Sequence, residues 1–377
     1  MGQATTSTTA PASVPAAGPT SIVQLGDSIA SGEGTYYGYT YDSSTGKWTG
    51  GNLNVTWDPP YNGCHDASYA YVHTIAQYFR VMPQVTQLAC TGATFANGIS
   101  GPEISDGTEL RPAEFGNWAT QQGLNPVYDA AKPDLVLVTL GADDVQFVNI
   151  IEDCIENGYK SYFHVATEAC VEHNPGSTIR QDFFDYLPTL RANYKTLVQW
   201  IEARAKADGT PTPKIVFTDY ASPLPPNGGP ADCPDENWLY QNQVSYLSSL
   251  VGELNQTLTQ TITGLRDPNV AVADISGAYT PTGENHQWCG TDPWAYGLSI
   301  YSVYSPSSFD SQAPFHPTPE GQASIASYVL PTILKLFPAT PDPLPIAPTT
   351  TAPASTTTSS SSTSTSSTST TTTTTAG

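Results

Sequence analysis

Apolar and polar positions along the chain follow two periods that take turns. Short aliphatic and β-branched runs at residues 21–25, 84–88, 134–140, 214–219 and 270–275 predict strands. Leu135-Val136-Leu137-Val138 is continuously apolar, as a strand covered on both faces must be. Between these runs the period lengthens. Over residues 241–263, Val244, Leu247, Val251, Leu254, Leu258 and Ile262 recur at steps of three and four and form one helical stripe. Further helices are predicted over 67–79, over 190–205 and from Pro319 onward, where Ile325, Val329 and Ile333 keep the same spacing. Strands alternating with helices predict a parallel sheet with helices on both faces.

Long stretches without either period separate these elements, at 34–62, 97–121 and 277–312. Loops of that length in a compact domain are functional or pinned by crosslinks. The first holds Tyr36, Tyr37, Tyr39, Tyr41, Trp48, Trp57 and Tyr61. Two readings stand side by side: the aromatics line a cleft and stack on sugar rings, or they cover the core beneath the loop. The ends differ in composition from the middle. Residues 1–19 are uncharged and rich in Ala, Thr, Ser and Pro, and residues 338–377 form a Pro/Ser/Thr-rich tail or stalk. Neither has the apolar content to offset the entropy of ordering, so both are expected to be disordered around one catalytic domain at 20–337.

The net charge of −21, from 13 basic and 34 acidic residues, would repel a phosphate backbone and excludes nucleic acid as a natural partner. No run approaches the roughly 20 apolar residues of a transmembrane segment. The N-terminus has neither a basic n-region nor an apolar core, so any leader is expected to have been removed. Six cysteines, none in a C-x-x-C pair, read as disulfides of a secreted, extracellular protein. Pairing in chain order would close three local loops, although six cysteines allow 15 connectivities. Walker A, G-x-G-x-x-G and H-E-x-x-H patterns are missing, so neither a cofactor nor a metal is expected. There is no G-x-S-x-G elbow either.

Candidate chemistry lies at both ends of the domain. Gly26-Asp27-Ser28 follows the first strand, beyond the carboxyl edge where open parallel sheets bind ligands. A serine hydroxyl there needs a base. Phe315-His316-Pro317, framed by prolines just before the last helix, supplies one, while His65, His73, His164, His173 and His286 read as structural.

On these blocks the chain resembles the SGNH hydrolase, or GDSL-type lipase/esterase, family over about residues 20–335. The resemblance implies a three-layer α/β/α sandwich with a central parallel sheet, flavodoxin-like in arrangement, and an esterase or lipase. It implies Ser28 as nucleophile, His316 as base, and the backbone N–H groups of Ser28 and Gly92 as oxyanion donors. It also implies a small-molecule, lipid or polysaccharide ester as substrate, and a monomer is expected. The cysteine spacing is similar to that of secreted actinobacterial members, which implies the pairs Cys64–Cys90, Cys154–Cys170 and Cys233–Cys289.

Two positions depart from the family pattern. Asp143, in Gly141-Ala142-Asp143-Asp144, stands where the family has an oxyanion-binding Asn. An ionised carboxylate only accepts hydrogen bonds, so Asp143 either donates in protonated form, its pKa raised by burial beside Asp144, or holds a loop while Ser28 and Gly92 bind the oxyanion. The acidic residue expected three positions before His316 is Ala313, and Asp310 is the nearest carboxylate. The backbone carbonyl of Ala313 would then orient the imidazole. These two losses also motivate a rival reading, a catalytically impaired binding or adhesion module on a stalk. The sequons at Asn54 and Asn255 matter only in a host that glycosylates.

Overall fold

The computed structural model describes residues 18–45, 47–51, 56–59, 62–105, 108–162, 179–229, 239–297 and 314–337. In chain order the strands are β1 (Ser21–Gly26), β2 (Tyr39–Asp42), β3 (Lys47–Gly50), β4 (Gln84–Gln87), β5 (Glu103–Ser105), β6 (Thr108–Arg111), β7 (Leu135–Thr139), β8 (Lys214–Thr218) and β9 (Val270–Ala273). The helices are α1 (Ser28–Ser31), α2 (Tyr71–Tyr78), α3 (Pro126–Ala131), α4 (Phe147–Tyr162), α5 (Ile179–Ala207), α6 (Gln241–Leu265) and α7 (Pro319–Leu336).

All five predicted strands form one parallel sheet in the order β4-β1-β7-β8-β9. Its two faces follow from the period of two along each strand. Ile22, Leu135, Leu137 and Val216 point to one side and pack with Val72 and Ile75 of α2 and Ile325, Val329 and Ile333 of α7. Val23, Leu25, Val136, Val138, Ile215 and Phe217 point to the other, against Leu190, Leu197 and Ile201 of α5 and Val244, Leu247 and Leu258 of α6. Each such side chain contributes about 1.5–3 kcal/mol when fully buried, which makes the run 135–138 stable only inside two helix layers. The expected three-layer α/β/α sandwich is the fold.

Several elements depart from their predicted limits. Helix α2 begins at Tyr71, because residues 67–70 make a turn closed by Ala70 N–H on the Ala67 carbonyl. Helix α5 begins at Ile179 and continues through Pro188, with Phe183 and Leu187 buried on its early turns. Helix α4 was not expected, although Ile150, Ile151, Cys154 and Ile155 bury one stripe of it.

The long loops are folded. Tyr37, Trp48 and Trp57 are buried with Tyr296 in a separate cluster, with Trp48 and Tyr296 rings 4.8 Å apart and Tyr36 stacked on Trp57 at 5.5 Å. These aromatics cover a core of their own; Tyr61 lies outside the described residues. The second loop carries the β5–β6 hairpin, which sets buried Arg111 to donate to the Leu88 and Ala89 carbonyls. Cys64 is bonded to Cys90. Cys154 and Cys289 are also disulfide-bonded, and Cys170 and Cys233 lie outside the described residues. Asn255 holds the backbone of Tyr220 through both ends of its amide, at 2.9 and 2.8 Å, so its sequon is committed to the fold. Asn54 lies outside the described residues. Among those residues no helix is long and apolar enough to cross a membrane.

Candidate active site

Ser28 is the first residue of α1, set immediately beyond the carboxyl end of the central strand β1. Asp27 makes that turn. Its carboxylate caps α1 by accepting from Ile29 N–H at 3.1 Å, and its own N–H reaches the Thr139 carbonyl of β7 at 2.9 Å. The other oxygen accepts from Tyr220 Oη at 2.5 Å.

The same Tyr220 oxygen accepts from Ala142 N–H at 3.1 Å, which ties the loop after β7 to the Ser28 turn. Asp144 then accepts from Phe95 N–H at 3.1 and 3.2 Å, and so ties that loop to the one after β4. Since β4 and β7 both flank β1, Ser28, Gly92 and Asp143 stand on three adjoining loops at one edge of the sheet. Neither Ser28 nor Gly92 uses its N–H in a hydrogen bond among the described residues.

His316 comes from the far end of the chain. The segment before α7 lies against residues 294–296, where Tyr296 N–H donates to the His316 carbonyl at 3.0 Å and Thr318 N–H to Trp294 at 2.9 Å. Thr318 caps α7 and Pro319 opens it, so the imidazole is delivered from a stiff support. Gln322 of α7 fastens the helix to the nucleophile turn by donating to the Ile29 carbonyl at 2.9 Å. The result is a 2.8 Å hydrogen bond between His316 Nε2 and Ser28 Oγ. Nδ1 of His316 has no hydrogen-bond partner among the described residues, and Ala313, whose carbonyl was expected there, lies outside them together with Asp310.

The carboxyl groups around the serine divide sharply. Burial pushes Asp27 up to about 7, against the bonds from Tyr220 and Ile29, and pushes Asp144 up to about 6. Asp143 is held well above the usual carboxylate range, first by burial and then by the charges of Asp27, Asp144, Glu33 and Glu103. Its carboxyl has no hydrogen-bond partner among the described residues. Glu33 goes the other way. Burial alone would raise it, but His316 and His65 beside it and the Thr91 hydroxyl bring it down to about 2. Glu33 and His65 are the residues that sequence reasoning missed. The signal was a lone acid between two glycines, Gly32 and Gly34, directly after the nucleophile block.

Groups of His, Cys, Asp or Glu able to hold a metal ion do not occur among the described residues. The GDSL-like lipase/acylhydrolase family model matches residues 22–329. Among solved structures, an extracellular lipase from Streptomyces rimosus is 20% identical at a TM-score of 0.50, covering 85% of this chain and 100% of its own. A phospholipase A1 from Streptomyces albidoflavus is 20% identical at a TM-score of 0.47, covering 83% of this chain and 97% of its own. No curated protein matches the sequence.

Proposed function

Because the chain belongs to the GDSL-like lipase/acylhydrolase family and is a carboxylic ester hydrolase, we propose that it cleaves its ester through an acyl-enzyme formed on Ser28 with His316 as base. The observation that carries this reading is the 2.8 Å bond from Ser28 Oγ to His316 Nε2, a base within reach of the proton it must take. As Oγ attacks the carbonyl carbon, its proton passes to Nε2. The oxyanion meets the free N–H groups of Ser28 and Gly92 and, where Asp143 is protonated, a third donor. Collapse breaks the bond to the alcohol oxygen, which leaves with the proton from Nε2. Water then gives a proton to Nε2 and attacks the acyl-serine, releasing the carboxylic acid and restoring the Ser28 hydroxyl.

We read the protein as secreted, since the Cys64–Cys90 bond is a covalent crosslink of the kind that persists in oxidising compartments. The substrate reading stays at carboxylic esters, with lipid and polysaccharide esters on an equal footing. Tyr37, Trp48 and Trp57 are buried, so those rings are not available to stack on sugars. A non-catalytic adhesion module would have no need for the Ser28–His316 bond.

The test is hydrolysis of p-nitrophenyl acetate and butyrate by wild type, Ser28→Ala and His316→Ala. Each variant should lose about 10³-fold or more in kcat while keeping its fold, because one catalytic unit fails at any of its members. Retention of more than about a tenth of the wild-type kcat by either would overturn the assignment.

A further inference from the structure

Glu33 is a fully buried acid that the mechanism above does not use, and its surroundings are built around it. Its Oε2 lies 3.6 Å from His316 Nε2, the same nitrogen that bonds Ser28, and accepts from the Thr91 hydroxyl at 2.5 Å. Its Oε1 accepts from Tyr37 Oη at 3.0 Å and lies 3.0 Å from His65 Nδ1. Trp57 stacks on His65 with rings 4.5 Å apart and holds it in place. His65 follows Cys64 and Thr91 follows Cys90, so one disulfide fixes both groups on the two sides of the carboxylate.

The flanking glycines explain how a charge reaches this position. A Cβ on Gly32, at φ +91°, would press on Ala70 and Ala67 before α2, and one on Gly34, at φ +98°, would run into the Pro317 carbonyl and His316 Cβ. Without side chains at 32 and 34, the segment fits between the loop that carries His65 and the loop that carries His316. Such close packing around a charge is costly unless the charge is paired and hydrogen-bonded, and this one is.

We propose that Glu33 is the positioning acid of the site: an ionised carboxylate that replaces the acid missing before His316 and stabilises the imidazolium formed when Ser28 loses its proton. The proposal rests on the Ser28–His316 reading. Glu33 takes no proton itself; it acts by charge on the Nε2 side of the ring, where the proton arrives. The groups facing it are His316, His65 and Tyr37, with Asp143 as the neighbouring acid.

The test follows the rate at which a fluorophosphonate labels Ser28 as a function of pH, read by peptide mass spectrometry. Labelling needs the free base but no turnover. In Glu33→Gln the imidazolium loses its counter-charge, so the base stays free to lower pH. The acid limb should move down by about 1 pH unit or more, and the plateau rate should fall about tenfold with the weaker base. Glu33→Asp, one methylene shorter but still charged, should keep the wild-type limb. A residue that only fills space gives the reverse order, with the isosteric Gln tolerated and Asp impaired, and an unmoved limb in Glu33→Gln would overturn the assignment. If Glu33→Gln does not fold, Glu33→Asp decides: labelling slowed by about tenfold at every pH with the limb in place is the mark of a space-filling residue and would overturn the assignment. Absence of labelling at Ser28 in the wild type would instead overturn the hydrolytic reading, and this assignment with it.

Discussion

Replacing Asp143 by Asn is the sharpest probe of the oxyanion site. Burial and the charges of Asp27, Asp144, Glu33 and Glu103 raise the Asp143 carboxyl well above the usual carboxylate range, and its side chain has no hydrogen-bond partner among the described residues. In the proposed mechanism it donates to the oxyanion only when protonated. As pH rises through its raised pKa, wild type loses a donor and gains a repelling charge. One oxyanion donor is worth about 10²–10³ in kcat. The ratio of kcat for Asp143→Asn over wild type should therefore stay near one at the acidic end. It should climb by about 10²–10³ once Asp143 is ionised, since the amide donates at every pH. The assay is kcat for p-nitrophenyl butyrate from pH 4 to 9, with circular dichroism confirming that both proteins stay folded. A ratio that stays near one at every pH, together with wild-type kcat in Asp143→Ala, would show that Asp143 only holds its loop, leaving Ser28 and Gly92 to bind the oxyanion.

Four further outcomes are expected. Stability should decline toward alkaline pH: burial raises Asp27, Asp66 and Asp219 to about 7 and Glu103 to about 8, so their contribution is complete below the unfolded values and is lost as pH climbs through these. A single carboxyl raised from 3.8 to about 7 costs about 4 kcal/mol by pH 8, and calorimetry should find a Tm several degrees lower at pH 8 than at pH 5; a higher Tm at pH 8 would contradict this. Glu33, lowered to about 2, opposes this only below its ordinary 4.5, where its contribution is lost as pH falls. Reduction of the Cys64–Cys90 bond, whose ends are 26 residues apart, should cost about 2–4 kcal/mol and slow Ser28 labelling, because His65 and Thr91 would no longer be fixed on Glu33. Unreduced peptide mapping should find the pairs Cys154–Cys170 and Cys233–Cys289 with no alkylated thiol. Finally, Glu33 is one of the charges that raise Asp143, so Glu33→Gln should move the alkaline limb of kcat to lower pH along with the acid limb; an alkaline limb that stays put would uncouple the two acids.

What the sequence made legible is what burial dictates locally. A strand with both faces covered must be apolar at every position, and β7 reads that way without help from the rest of the chain. The stripe of α6 and the Thr318-Pro319 start of α7 are similar, because helix period and cap chemistry act within a few residues. Legibility fails where a distant partner decides the outcome. The first turns of α5 pass through Pro188 because Phe183 and Leu187 pack into the core, and no local preference reports that. Nothing near Asp27 in the sequence points to Tyr220, 193 positions away, which donates to its carboxylate. His65 was read as structural and in fact lies on Glu33, whose other partners stand at positions 37, 91 and 316.

Glu33 and Asp143 show how one site keeps two carboxyl groups in opposite states. Glu33 is fully buried and Asp143 half-buried, and for each the loss of water favours the protonated form. Glu33 receives a tyrosine and a threonine hydroxyl and two imidazoles, all of which favour its charge. Asp143 receives no donor among the described residues and faces four other acids, which disfavour its charge. The proposed reaction creates a cation on His316 and an anion on the substrate carbonyl; in that proposal Glu33 meets the imidazolium with a fixed negative charge, and a protonated Asp143 would meet the oxyanion with a neutral donor. The two departures from the family pattern are therefore linked. With the acid before His316 missing, Glu33 supplies the negative charge, and that same charge helps keep Asp143 protonated, so that an aspartate can stand where the family has a neutral amide.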